Sequence, residues 1–129
     1  MVYGKTMSNK VLLSGAIVIA LILLVGSSLW YRQQPGRFDA FAQCLGEKQA
    51  TFYGAFWCPH CQNQKALFGN SAKLLPYVEC STSDGKQQLK ICTDANITGY
   101  PTWEFADGER LSGEVALKVL SEKTGCELP

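Results

Sequence analysis

The stretch that most constrains this chain is Thr51–Cys61, TFYGAFWCPHC. Thr51 to Trp57 is apolar almost throughout and rich in β-formers, which predicts a strand. A half-exposed strand alternates apolar and polar residues. This one does not, so it is expected to be buried on both faces, as a central strand is. Gly54 in its middle implies close approach by a neighbour. Cys58-Pro59-His60-Cys61 follows, and Pro59 to Phe68 reads as helix, with Pro59 in the first turn where no amide hydrogen is required. A strand that delivers two cysteines to the start of a helix is a device for thiol–disulfide exchange.

The nucleophile in such exchange is the thiolate. With Cys58 at the helix N-cap, unpaired N–H groups and the positive helix end face its sulfur and favour that form. Cys61 lies one turn in and deeper. Cys58 is therefore expected to attack and Cys61 to resolve. Pro59 and His60 tune the pair. A positive charge or hydrogen bond from His60 stabilises the reduced form, toward about −120 mV rather than about −270 mV. No metal or organic cofactor is required, because the redox group is the Cys58–Cys61 disulfide itself. Two other readings stand beside this one: half of a zinc site, or an inert structural bridge. Zinc would have to recruit Cys80 and Cys92, which eleven residues separate, where zinc ribbons offer a second close pair.

The chain has 129 residues and a formal net charge of +1. That allows one small domain plus accessory segments. The near-neutral balance argues against nucleic acid as a partner, since phosphate binding needs a basic face. Six cysteines, four of them outside the CxxC (Cys44, Cys80, Cys92 and Cys126), point to disulfides and an oxidising compartment.

Residues 1–10 read as a short polar tail carrying Lys5 and Lys10, expected to be cytoplasmic. Val11–Trp30 contains no charged residue. Twenty residues of helix span about 30 Å, the thickness of a bilayer's hydrocarbon core. Trp30 and Tyr31 suit the interface beyond it. The run is apolar on every face, unlike a core helix, and exceeds the usual h-region of about 7–15 residues in a cleaved signal peptide, although Gly26, Ser27 and Ser28 offer a cleavage site. An uncleaved single-pass anchor is the preferred reading. Lys5 and Lys10 before the span nearly balance Arg32 and Arg37 after it, so the positive-inside rule gives no orientation. Cysteine usage places the domain on the oxidising, extracytoplasmic side (periplasmic or lumenal).

Residues 31–37 form a linker, with Pro35 and Gly36 as helix stops. The domain proper is expected over 38–129. Phe38, Phe41, Ala42 and Leu45 mark one apolar helical face. After the central helix, Gly69-Asn70 interrupts and Ser71–Leu75 forms a short turn. Tyr77–Cys80 is a strand, Ser81–Lys86 a loop, and Gln87–Cys92 a short helix. Thr102–Phe105 and Arg110–Leu111 form a hairpin about Asp107-Gly108. Glu114–Lys123 is a last helix ended by Gly125. The sum is an α/β fold with one mixed sheet.

Trp57-Cys58-Pro59-His60-Cys61 and Gly99-Tyr100-Pro101-Thr102 resemble the two signatures of the thioredoxin fold, the W-C-x-x-C and the cis-proline loop. The resemblance covers roughly Phe38–Cys126. It implies that Pro101 is cis, packs beside the CxxC and shapes the substrate groove, and that the backbone of Tyr100 pairs with bound substrate. Tyr100 and Trp57 are expected to line that groove, or else to serve as core aromatics. FAQCLGEKQATFYGAFWCPHCQNQKALFG, LPYVECS and ITGYPTWEF are more narrowly similar to the thioredoxin-like domain fused to bacterial and plant vitamin K epoxide reductase homologues. This implies a separate quinone-linked membrane partner of that type, or an independent oxidoreductase acting on protein thiols. Two departures stand out. The position six residues before Cys58, often a buried Asp in thioredoxins, is Phe52, and the usual first strand and helix are incomplete.

The four other cysteines allow three pairings. Cys80–Cys92, closing the STSDGK loop, and Cys44–Cys126, tying the first helix to the last, are preferred as structural bridges; a relay role for one pair is the alternative. The chain is thus expected to be a membrane-anchored protein-disulfide oxidoreductase. The competing classes are a zinc-stabilised binding module and a non-catalytic docking subunit with the same fold.

Overall fold

The computed structural model describes residues 9–129. The tail expected over 1–10 therefore lies, apart from Asn9 and Lys10, outside the described residues. The chain divides into two units, one ending at Gln34 and the other spanning Pro35–Pro129.

The first unit is a single helix, α1, Asn9–Gln33. Its most apolar 18-residue window has a mean hydropathy of 2.5, and the helix is long enough to cross a membrane. Its hydroxyls are spent internally: Ser14, Ser27 and Ser28 donate to carbonyls three or four residues back. A serine so satisfied exposes no free donor to an apolar surrounding. The helix runs three residues past Trp30, into what reads as linker. No helix breaker precedes Pro35, and proline disfavours helical geometry only in the residue before it.

The second unit carries a four-stranded mixed sheet in the order β2-β1-β3-β4. Here β1 is Thr51–Gly54, β2 Tyr77–Glu79, β3 Thr102–Glu104 and β4 Arg110–Ser112. β1 pairs parallel with β2 and antiparallel with β3, placing Phe52 opposite both Tyr77 and Trp103. The helices are α2 (Asp39–Glu47), α3 (Pro59–Ala66), α4 (Lys90–Asp94) and α5 (Leu117–Thr124), with a 3-10 helix over Gly69–Leu74. The order β1-α3-β2 followed by β3-β4-α5 is that of a thioredoxin fold entered through α2.

The core lies where the apolar pattern places it. Phe41, Ala42 and Leu45 of α2 are buried against the sheet, with Phe52, Phe68, Trp103 and Leu120. The Phe52 ring stacks on Trp103 at 4.9 Å and meets Tyr77 edge-on at 5.1 Å. Full burial of one such ring contributes about 1.5–3 kcal/mol. Phe52 thus occupies with hydrocarbon the place where many thioredoxins hold an acid. The other face of β1 is also covered: Tyr53 packs against a second cluster of Cys80, Cys92 and Ile97.

Several element boundaries differ from the sequence pattern, three of them for a local reason. β1 ends at Gly54 rather than Trp57. The chain turns there, with Cys58 N–H donating to the Ala55 carbonyl, and Phe56 and Trp57 emerge 46% and 51% exposed. α4 begins at Lys90 because Gln87 and Gln88 pair across the loop with Thr82 and Ser81. α5 begins at Leu117 because Glu114 and Val115 are engaged by α3, as described below. α3 ends at Ala66, and the interruption expected at Gly69-Asn70 is present. Gly69 takes a φ of +54°, open to glycine without a Cβ penalty, and turns the chain into the 3-10 helix.

Candidate active site: the start of α3

Cys58 is the N-cap of α3 in extended geometry (φ −78°, ψ 119°), and Pro59 follows at the first helical position. The proline's fixed φ suits the first turn, and its missing N–H is one that no carbonyl would have met. Cys58 is 5% exposed and Cys61 fully buried, and neither is bridged to another residue. The Cys58 thiol donates toward the Tyr100 carbonyl at 3.7 Å. The Tyr100-Pro101 peptide bond is cis, and Pro101 is buried. The structure thus brings the two sequence signatures, 42 residues apart, to one place.

Burial pushes the Cys61 thiol up to about 12, and its contact with Cys58 adds to this, while a hydrogen bond from the Ala55 backbone and the charge of Lys65 oppose it. The two sulfurs are therefore unlike. One stands at a helix end beside the cis-proline, and the other is a neutral thiol in the core.

Trp57 and Tyr100 meet edge to face at 6.0 Å beside Cys58. Trp57 Nε1 donates to Ser81 Oγ at 2.9 Å, and its ring lies against Gly85. Tyr100 accepts from Gln88 Nε2 at 2.7 Å. The loop that follows β2 thus holds both aromatics. That loop is closed by the Cys80–Cys92 disulfide, and a second disulfide joins Cys44 to Cys126. All but Cys44 among these four are fully or almost fully buried. Bridged in pairs, they offer no thiolate to a metal held by Cys58 and Cys61.

His60 points away from the core, its side chain 68% exposed, and its Nδ1 lies 2.7 Å from Glu114 Oε1. Asn63 Nδ2 donates to the same oxygen at 2.9 Å. These two partners hold the Glu114 carboxyl below its usual range, Asn63 foremost. One turn on, buried Gln64 donates to the Val115 carbonyl at 3.0 Å and accepts from the Val115 N–H at 2.6 Å. Glu114 and Val115 are thus irregular because α3 holds them.

Sequence reasoning passed over Lys65, Tyr77 and Glu79. Gly54 opens a gap beside Cys61: a Cβ there would lie 2.8 Å from the Tyr77 ring and 3.0 Å from Cys61 Sγ. Tyr77 donates to Glu79 Oε2 at 2.7 Å, and Lys65 Nζ sits 3.4 Å from the centre of the Tyr77 ring. The signal was available. Residues two apart on a strand share a face, so Tyr77 and Glu79 had to lie on one side of β2.

The sequence model of the Thioredoxin family matches residues 38–123. The chain belongs to that family. It is 48% identical over 93 residues to the Thiol-disulfide oxidoreductase LTO1 of Arabidopsis thaliana, covering 69% of this chain and 24% of that protein. It is 34% identical over 90 residues to a Thioredoxin domain-containing protein 5 homolog of Drosophila melanogaster, covering 64% of this chain and 21% of the relative. With the Protein disulfide-isomerase erp38 of Neurospora crassa it shares 29% identity over 108 residues, 77% of this chain and 28% of the relative. The chain spans about a quarter of the length of these curated relatives.

Proposed function

We propose that this thioredoxin-family protein is a thiol–disulfide oxidoreductase whose working group is the Cys58–Cys61 pair, without metal or organic cofactor. The observation that carries this is the N-cap position of Cys58 beside the Tyr100 carbonyl, at the cis-proline. A substrate disulfide lying along that backbone presents a sulfur to Cys58. Attack gives a mixed disulfide, and Cys61 displaces the substrate sulfur. Pro101, Tyr100 and Trp57 shape the groove. Pro59 sets the helix start, and His60, paired with Glu114, adds its charge at the rim when protonated. Cys44–Cys126 and Cys80–Cys92 act as structural bridges.

The test is Cys58→Ser. Disulfide exchange with a dithiol should fall to the uncatalysed background, and exchange that survives would sink the mechanism. An active wild-type protein also argues against a purely docking role. Metal content of the purified protein separates the zinc-bound alternative.

The same reading extends to location and partner. α1 anchors the protein in a membrane, with the N-terminus cytoplasmic and the domain on the oxidising side. The domain exchanges electrons between protein thiols and a quinone-linked membrane enzyme of the vitamin K epoxide reductase type. The length and apolarity of α1, and the resemblance of the domain, support this. Cys61→Ala should leave the mixed disulfide trapped on Cys58 in native membranes. Recovery of soluble proteins alone would overturn the membrane partner.

A further inference from the structure

In exchange by a buried thiol the difficult event is loss of its proton. Cys61 must become a thiolate to attack, yet it is fully buried, and burial holds its proton on. The position that in many thioredoxins supplies an acid beneath the pair is Phe52, stacked on Trp103, which accepts no proton. A different acceptor has to serve if resolution is to proceed near neutral pH.

The groups facing Cys61 are few. Its own helix contributes Cys58 and Lys65, and β2 contributes Tyr77, behind which stands Glu79. β1 and β3 contribute Phe52, Gly54 and Trp103, none of which titrates. Gly54 lets the phenol approach: the point where a Cβ would stand is 3.0 Å from Cys61 Sγ and 3.4 Å from the Tyr77 oxygen. Tyr77 already donates to Glu79 Oε2. The other Glu79 oxygen accepts from the Phe56 and Ser81 N–H groups at 3.2 and 2.9 Å, which fixes the carboxylate beside the turn leading to Cys58. Glu79 is half-buried, so it reaches water.

We propose that Tyr77 and Glu79 form a proton relay for Cys61, entering from β2 to replace the acid missing at Phe52. The proposal rests on the exchange function given above. With a substrate sulfur bonded to Cys58, the Cys61 proton passes to the Tyr77 oxygen as the Tyr77 proton passes to Glu79 Oε2. The Cys61 thiolate attacks Cys58 Sγ. The Cys58–Cys61 bond forms, the bond to the substrate breaks, and the substrate leaves as a thiolate that takes a proton from water. Glu79 returns its proton to water. Two electrons have moved from the cysteine pair to the substrate disulfide. Burial and the Glu79 bond push the Tyr77 phenol up, so it relays a proton without resting as a phenolate. Lys65, over the Tyr77 ring, offsets negative charge as Cys61 ionises. Tyr77 takes its proton from a reacting atom, and Glu79 acts through Tyr77 as a positioning residue.

The test uses the full chain in detergent with a self-quenched fluorescent glutathione disulfide, followed by rapid mixing from pH 6 to 10. A Cys61→Ala background isolates the first thiol release, and proteins with both cysteines report resolution. Tyr77→Phe, which keeps the ring, should slow resolution at pH 7 at least tenfold and leave the first step within twofold. The deficit should shrink toward pH 10, where hydroxide takes the proton. Glu79→Gln should show the same pH-dependent deficit, and Glu79→Asp should recover part of it. Resolution within twofold of wild type in Tyr77→Phe overturns the relay. So does slowing that is equal at every pH or equal in both steps, which would mark a structural role. A wild-type protein that releases no thiol would instead overturn the exchange function itself.

Discussion

β1 and β2 are parallel neighbours, and each hands its chain to a cysteine. Cys58 follows β1 after three turn residues, whereas Cys80 follows β2 directly and donates its N–H to the Gly54 carbonyl. From there the two diverge. Cys58 has its partner one helical turn away at the start of the same helix, and a helix end and the Tyr100 carbonyl beside it. Cys80 has its partner on α4, at a sequence separation of 12, inside a closed apolar cluster. A bridge within one helical turn constrains little that the helix does not already fix, so it can open and close. A bridge between elements removes freedom from the unfolded chain and is of use only while closed. Two cysteine pairs are thus left as free thiols in one region and bridged in the other, each in its own surroundings.

That contrast can be attacked from the stability side first. Replacing Cys44 and Cys126 together by serine opens the longest loop, with a separation of 82. It should cost about 4–5 kcal/mol and lower the melting temperature of the domain by roughly 20 °C. Exchange per folded molecule should stay within twofold, and a lost redox step with unchanged melting would reverse the assignment. The double serine variant at Cys80 and Cys92 should cost less, about 3 kcal/mol. Because that loop supports Trp57 and Tyr100, it should also raise KM while sparing kcat. Equal KM values would show that the groove stands without the bridge.

The smallest effect is one of pH. The Cys61 thiol titrates at about 12 in the folded protein against 9.0 ordinarily. The folded state therefore binds the proton more tightly than the unfolded one. The stability this gives is complete below pH 9 and is lost as pH rises toward 12. Melting of the reduced protein should decline between pH 8.5 and about 10.5 more steeply than melting of Cys61→Ala. Tyr77, also raised, contributes a decline common to both. Parallel curves would mean that Cys61 is not the titrating group.

Features read from contiguous residues were legible: the β1–α3 junction, the helix stop at Gly125, the hairpin at Asp107-Gly108, and the apolar faces of α2 and α1. The fold followed from these, because each is set by local geometry and by burial of an apolar face. What escaped were polar side chains whose partners lie far along the chain. Gln64 reads as a solvent-facing helical residue, and only the packing of the lead-in to α5 shows it buried. Glu114 reads as the first turn of a helix, yet Asn63 and His60 hold it outside one. The lysine, tyrosine and glutamate beside Cys61 come from two elements, and no periodicity relates them.

Gln64 has one more consequence. Its side-chain amide meets Val115 through a donor and an acceptor at once, the same pair of bonds that one peptide group offers another in a sheet. The helix that Cys58 caps and Cys61 joins is thereby stitched to the C-terminal segment by a two-atom imitation of a strand. Glutamate would preserve the shape and turn an acceptor toward the Val115 carbonyl, and methionine would preserve the bulk and abandon both bonds. At this position, amide chemistry outranks size and hydropathy in deciding which residue the fold accepts.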